Sequence, residues 1–454
     1  MSDSAAIEGI EQVTVIGGGL AGCEAAWQLA IRGIPVRLYE MRPDVMTPAH
    51  HSGSLGELVC SNSLKSEDPS TAAGELKVEL AALGSLVLSA ARDTKVAAGS
   101  ALAVNRADFS QKLTEAVESH SLIDVIREEV RELPEGRVIV ATGPLTSSAF
   151  EPVLSRLVGD GRLSFFDAAA PIVDAESIDR SVVFAASRYD KGGGADYLNA
   201  PFTRAEYDTF YDALVEARRA TEKEFERREL FQACQPVEEV GRTGRDALRY
   251  GAMKPVGLTD PRDGCRPWAV VQLRAENREC TAYNLVGFQT NLTFGEQERV
   301  FRLIPGLENA EFVRHGVMHR NTFIDSPRLL EPTLALRDTP GVWMAGQVTG
   351  TEGYSEAAAS GLLAALNVWA SIVGADPVIL PAETVLGALI QYATSADTGG
   401  YQPMHVNYGI IPPLPERVKG KRERYAAYSE RGRKALETWI VSRPDVFAGR
   451  ESHG

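Results

Sequence analysis

The segment VTVIGGGLAGCEAAWQLAIRGIPVRLYEMRP, residues 13–43, constrains the fold more than any other part of the chain. VTVI reads as a short buried strand. AGCEAAWQLAIRG has helical spacing with Trp27 and Leu29 turned inward, and PVRLYE reads as a second strand ending at Glu40. Between strand and helix, Gly17, Gly19 and Gly22 spell G-x-G-x-x-G, with Gly18, Leu20 and Ala21 filling the turn. Glu40 stands 18 residues after Gly22, where a carboxylate meets a ribose, and Arg42 follows closely. Glycines let the backbone approach a pyrophosphate, whose charge then sits at the positive end of the helix. A glycine-rich turn by itself also occurs in packed βαβ units. Strand, helix, second strand and acid together point to dinucleotide binding.

Two distant segments decide which dinucleotide. RVIVATGP (137–144) is a strand running into Ala-Thr-Gly, with Gly143 at its end. GVWMAGQVTGTEGYSEAAASGLLAAL (341–366) is a strand, a turn carrying Gly346, Gln347, Gly353 and Tyr354, and an Ala-rich helix. In flavoproteins such segments close the nucleotide domain and bring a second helix start to the flavin. An NAD enzyme has no need of the second turn, so FAD is favoured. The fold expected is α/β, a glutathione-reductase-like Rossmann FAD domain made discontinuous by an inserted smaller α/β domain. Residues 1–185 and 316–454 form the FAD domain and 186–315 the insertion, where TRAEYDTFYDALVEARRATEKEFERRE alternates charge as a solvated helix pair would.

Composition narrows the chemistry. The five cysteines (Cys23, Cys60, Cys234, Cys265 and Cys280) form no CxxC pair, which argues against a disulfide framework, a zinc ribbon and a dithiol oxidoreductase. No metal-ligating pattern appears. A reduced cytoplasm suits these thiols, the acidic N-terminus is no signal peptide, and apolar runs such as AALGSLVLSAA are too short to span a bilayer. A formal net charge of -14 gives no global attraction to nucleic acid, but a local basic face still acts within a Debye length. One candidate lies between Arg417 and Lys434, where eight Lys/Arg face two Glu and Tyr425 and Tyr428 are available for stacking. A solvated helix face is the competing reading.

Two cysteines stand out by context. Cys60, in GELVCSNSLKS, has Asn62 and Lys65 nearby to favour a thiolate, and Cys234 lies in LFQACQPVEEVGRTG. From the residues alone either is reactive or simply buried. Cys23, just inside the first helix, reads as a packed small residue, and Cys265 and Cys280 read as structural.

VIGGGLAGCEAAWQLA, LVCSNSLKS, QACQPVEE, LVGFQTNLTFGEQERVF, GVMHRNTFIDSP and AGQVTGTEGYSEAAASG, in that order, closely resemble the folate- and FAD-dependent tRNA (uracil-5-)-methyltransferase family. The match runs from about residue 12 to 415. The resemblance implies an enzyme that makes 5-methyluridine in the T-loop of tRNA. Methylenetetrahydrofolate would give the carbon, reduced FAD the electrons, and NAD(P)H would replenish the flavin. It carries catalytic thiols onto Cys60 and Cys234, one adding to uracil and the other serving as base or covalent partner, with the assignment open. His319 would offer the pterin a stacking face. Arg242, Arg245, Arg249 and Lys254, with the C-terminal run, would have to form the RNA-binding face. Alternatives are the related flavoprotein of wobble-uridine aminomethylation, the same methylation on ribosomal RNA, a flavin-bearing RNA-binding protein without catalysis, and a plain NAD(P)H oxidase.

Overall fold

In the computed structural model, residues 11–47, 49–159, 162–168, 170–190, 195–220, 235–316, 318–398 and 401–447 are described. Val13–Ile16 is a fully buried strand, Leu20–Ala30 the helix that follows, and Val36–Tyr39 the second strand. Five strands form a parallel sheet in the order Val342–Met344, Val138–Val140, Val13–Ile16, Val36–Tyr39 and Ile123–Ile126. The chain runs outward from Val13–Ile16 to one side and then crosses back to the other. That reversal opens a crevice beyond the carboxyl end of the first strand, where open α/β sheets bind their ligands.

The long apolar helix Tyr354–Val373 packs against Leu20–Ala30 in the same core. Its length and hydropathy would suit a bilayer, but most of it is buried inside the protein. The run AALGSLVLSAA breaks into two helices, Ala72–Leu83 and Leu86–Asp93, because Gly84 turns left-handed (φ 76°) between them. Buried Glu24 accepts from the Ser85 hydroxyl and from the Leu86 and Val87 amides, capping the second of these helices.

A two-stranded ribbon, Arg162–Ala168 against Met318–Ile324, carries the chain out of this domain and back. Beyond it lies an antiparallel six-stranded sheet in the order Phe184–Ala185, Tyr197–Phe202, Ala269–Ala275, Ala282–Leu285, Ile172–Asp174 and Phe312–Arg314. Ile172–Asp174 and Phe184–Ala185 lie ahead of residue 186 and still pair into this sheet; two- and three-residue strands leave little periodicity to read. The sheet has its own core, in which Phe202, Phe210, Phe288 and Phe301 meet ring to ring.

The expected solvated helix pair is, in its described part, one helix, Arg204–Glu216. A Thr203/Glu206 capping box starts it, and it buries Tyr207, Phe210 and Leu214 on the sheet. The alternating charge hid that apolar stripe.

Candidate active site

At the end of the first strand Gly17 has φ 107°, and a Cβ there would lie 2.4 Å from the Ala141 carbonyl oxygen. A Cβ on Gly22 would come within 1.8 Å of the Gly17 oxygen, and one on Gly361 within 2.2 Å of the Ala21 oxygen. The glycines therefore draw turn, strand and both helices together, so Gly22 serves packing and does not line the crevice. Gly19 and Gly143 instead face open space, where a Cβ would meet nothing within 4 Å. The resulting cleft, about 1000 Å³, is lined by Gly17, Gly19, Leu20, Ala21, Glu40 and Arg42 on one side and Gly143, Gly346, Gln347 and Tyr354 on the other. Its size and two glycine-rich walls fit a dinucleotide.

Glu40 is almost fully buried. It accepts from the Gly18 amide at 2.9 Å and from the Arg42 amide, Nε and Nη2 at 3.0, 2.9 and 3.1 Å. Burial opposes its charge, but the Arg42 guanidinium and the two amides outweigh it and hold the carboxyl below its ordinary range. Four donors fill its acceptor positions, so a ribose hydroxyl would have to share one of them. The sequence pattern locates this acid correctly in the cleft wall, but does not reveal that Arg42 already occupies it.

Beside the cleft, across Val59, Pro144, Gln347 and Tyr354, which line both spaces, lies a second chamber of about 830 Å³. Here lies Cys60, half-buried, with Ser61, Lys65, Gly353 and Glu356 around it. The Cys60 and Ser61 amides both donate to the Tyr354 hydroxyl, at 2.8 and 3.2 Å. Burial and the neighbouring Cys60 push that phenol well above its usual value.

Lys65 takes a left-handed backbone (φ 66°) and sends its ammonium to Glu356, 2.9 Å away. Burial opposes ionisation of Glu356, yet Lys65 and then Lys77 hold its carboxyl below the ordinary range. Lys77 is itself buried, which lowers it to about 8. Dinucleotide cleft and thiol chamber thus adjoin, with Val59, Pro144, Gln347 and Tyr354 lining both.

A family model described as "Glucose inhibited division protein A" matches residues 12–376. A protein of Thermosynechococcus vestitus named methylenetetrahydrofolate–tRNA-(uracil-5-)-methyltransferase TrmFO is 56% identical over 436 residues, 95% of each chain. A protein of the same name from Geobacter sulfurreducens is 55% identical over 431 residues, 95% of this chain and 99% of its own. The chain belongs to the TrmFO family. Among solved structures, Aquifex aeolicus GidA has the same fold, with a TM-score of 0.69 at 18% identity over 96% of this chain and 75% of that one.

Not every residue singled out in this TrmFO-family sequence reaches the site. Asn62 is completely buried and faces away from the chamber: its amide nitrogen donates to the Val104 and Ala275 carbonyls, both at 3.0 Å. It fastens the Cys60 loop to the inserted sheet. Cys234 and the side chain of His319 lie outside the described residues, although the strand carrying His319 pairs His319 with Asp167.

Arg242 is paired with Glu239, and Arg245 with Asp208 and Asp212 while lying over the Tyr211 ring. Arg249 is spent on Asp246 and the face of Trp268. Lys254 is exposed. These arginines are thus neutralised within the inserted domain. In the C-terminal helix Lys421–Ser442, Arg433 grips buried Glu75 and Tyr425 and Tyr428 pack on Tyr408. Arg417, Lys419, Lys421, Arg422, Arg424 and Lys434 remain exposed. Cys23 is buried and donates its thiol to the Gly18 carbonyl, and burial pushes it far up. Cys265 and Cys280 are exposed.

Sequence patterns missed Glu356, Lys77, Arg106, Arg274, Glu276 and Arg314. Glu356 stands in the AGQVTGTEGYSEAAASG motif without marking itself out there, and the fold places it in the chamber lining; the other five lie outside that lining and gather around the Cys60 and Glu356 segments.

Proposed function

We propose that this chain methylates carbon-5 of a uridine in the T-loop of tRNA, taking the carbon from methylenetetrahydrofolate and the electrons from bound FAD. The observation that carries this reading is the glycine-walled cleft lying directly beside the chamber that holds the Cys60 thiol, with Tyr354 and Gln347 lining both. Gly17, Gly19, Leu20, Ala21, Glu40 and Arg42 would hold FAD on one side, Gly143, Gly346, Gln347, Gly353 and Tyr354 on the other. When bound, the flavin supplies the hydride that turns an exocyclic methylene into a methyl group, and NAD(P)H restores it.

Carbon-5 of uracil is a weak nucleophile. A cysteine thiolate bonding to carbon-6 moves an electron pair towards carbon-5, which can then bond the one-carbon unit. A base takes the carbon-5 proton, the freed pair expels the folate nitrogen to leave an exocyclic methylene, and once that methylene is reduced the sulfur leaves with the carbon-6 bond pair. Cys60 and Cys234 are the thiols proposed for these two roles. The target base must leave its stack to enter the chamber, and the exposed cations of the C-terminal helix are the phosphate contacts proposed to hold the RNA.

The test is incubation of the flavin-loaded protein with undermodified tRNA, labelled methylenetetrahydrofolate and NADPH. Label recovered in T-loop 5-methyluridine is the expected result. Label remaining on folate overturns the proposal.

A further inference from the structure

Gly56–Ser61, the segment that carries Cys60, has no helix or strand of its own. Side chains from distant segments take up its backbone polar groups instead. The Tyr354 hydroxyl accepts from the Cys60 and Ser61 amides. Arg314, the last residue of the inserted-sheet strand Phe312–Arg314, donates Nη2 to the Val59 carbonyl at 2.7 Å. Arg106, the first residue of helix Arg106–Glu118, donates Nη1 to the Leu58 carbonyl and pairs through Nε with Glu276, just past the inserted strand Ala269–Ala275.

The firmest of these attachments comes directly after the thiol. Asn62 is completely buried, and its side-chain amide is engaged by both domains. Nδ2 donates to the carbonyl of Val104, which ends strand Ala101–Val104 of the nucleotide domain, and to the carbonyl of Ala275, which ends the inserted strand. Oδ1 accepts from Arg274 Nε of that same inserted strand at 2.8 Å. The main chain adds a fourth contact, from the Val104 amide to the Asn62 carbonyl at 2.9 Å. Arg106 and Arg314 reach the loop through long side chains with many rotatable bonds. Asn62 has a short side chain and lies two residues from Cys60 in the same backbone. A displacement of the inserted strand is therefore passed to the thiol through two peptide units, each planar and stiff.

We infer that Asn62 is a positioning residue for Cys60: its amide couples the docking of the inserted domain to the place of the thiol beside the cleft. The inference rests on the uridine-methylation reading for the reaction that the thiol serves.

The inserted domain supplies the comparator. Asn199 is equally buried, donates Nδ2 to the Phe184, Ala186 and Tyr197 carbonyls at 3.2, 2.9 and 3.2 Å, and accepts from Gln272 Nε2 at 3.0 Å. Its partners all lie around the inserted sheet, and none belongs to the Cys60 loop. Asn62→Ala and Asn199→Ala, made in the full-length, flavin-loaded protein, should lower the melting temperature by similar amounts and keep the flavin. In Asn62→Ala alone, kcat with tRNA and methylenetetrahydrofolate should fall about tenfold at unchanged KM. Iodoacetamide labelling of Cys60, read by peptide mass spectrometry, should also run several-fold faster there, because the loop opens more often. Asn62→Ser, which keeps a hydroxyl in the gap, stands in if the alanine variant does not fold, and should move kcat and labelling in the same directions. A parent-like kcat in the Asn62 variant overturns the proposal, as does an equal fall of kcat in Asn199→Ala. Failure here leaves methylation by the parent intact, whereas failure of label transfer to tRNA leaves the contrast in Cys60 labelling intact, so the two claims fall separately.

Discussion

On the Glu40 wall of the dinucleotide cleft the contacts that build the site are short in sequence: Gly18 reaches Glu40 across 22 residues, and Glu40 reaches Arg42 across 2. Around Cys60 they are long. Cys60 reaches Tyr354 across 294 residues, Val59 reaches Arg314 across 255, and Asn62 reaches Ala275 across 213. That wall of the cleft is a local unit in which the order of strand, turn and helix already dictates the geometry, while Gly143, Gly346 and Gln347 supply the opposite wall from far along the chain. The chamber exists only where the inserted sheet, the Arg106 helix and the start of Tyr354–Val373 have docked together. A change in the docking of the inserted domain should therefore disable the thiol while leaving the dinucleotide bound.

The sharpest separation of the two regions comes from Cys60→Ala. Methylation should fall on the order of 10³-fold or more, while flavin content, read by absorbance, and melting temperature stay at parent levels. Loss of flavin in this variant would show that cleft and chamber are not separable.

Glu40→Gln strikes the cleft instead. It leaves the buried Arg42 guanidinium with Glu57, 3.1 Å away, as its remaining carboxylate partner and should cost about 2 kcal/mol in denaturant unfolding at neutral pH. The folded-state value of Glu40 is depressed, so its contribution is present above the ordinary carboxylate range and is lost as pH falls through that folded value. The gap between parent and variant should accordingly narrow on acidification. A gap independent of pH would sink the ionic account.

Gly22→Ala introduces a Cβ 1.8 Å from the Gly17 oxygen, a backbone atom that cannot step aside cheaply. About 2 kcal/mol of stability should be lost, together with flavin affinity, while labelling of Cys60 by iodoacetamide is retained. The smallest effect is expected from Arg242→Ala. Its exposed pair with Glu239 is worth less than about 1 kcal/mol, and tRNA affinity should change less than twofold. A large loss of affinity would restore the inserted-domain arginines to the RNA-binding face.

Legibility in the sequence follows the same division. The first strand, helix and second strand fall where their periodicity places them, because burial on a parallel sheet writes continuous apolar runs. The second turn at Gly346 and its helix were equally readable. Helix Arg204–Glu216 misled, since its solvent face carries the alternating charge that dominates the pattern. Asn62 looked like a chamber residue because it stands two positions from Cys60, yet the loop turns it into the interior. Glu356 gave no signal, since one acid two residues after Tyr354 in an Ala-rich helix looks like any first-turn carboxylate.

The sequence by itself determined the glycine-walled cleft, the acid beside it, the discontinuous α/β fold and the choice of Cys60 as a thiol to watch. Those features rest on backbone sterics and on short-range spacing, which a linear chain records directly. Only the tertiary structure decided that Arg42 saturates Glu40, that Lys65 meets Glu356, and that three arginines from separate segments surround Cys60. Electrostatic fields and hydrogen bonds depend on distance in space, and nothing in the order of residues along the chain sets those distances before the two domains close on each other.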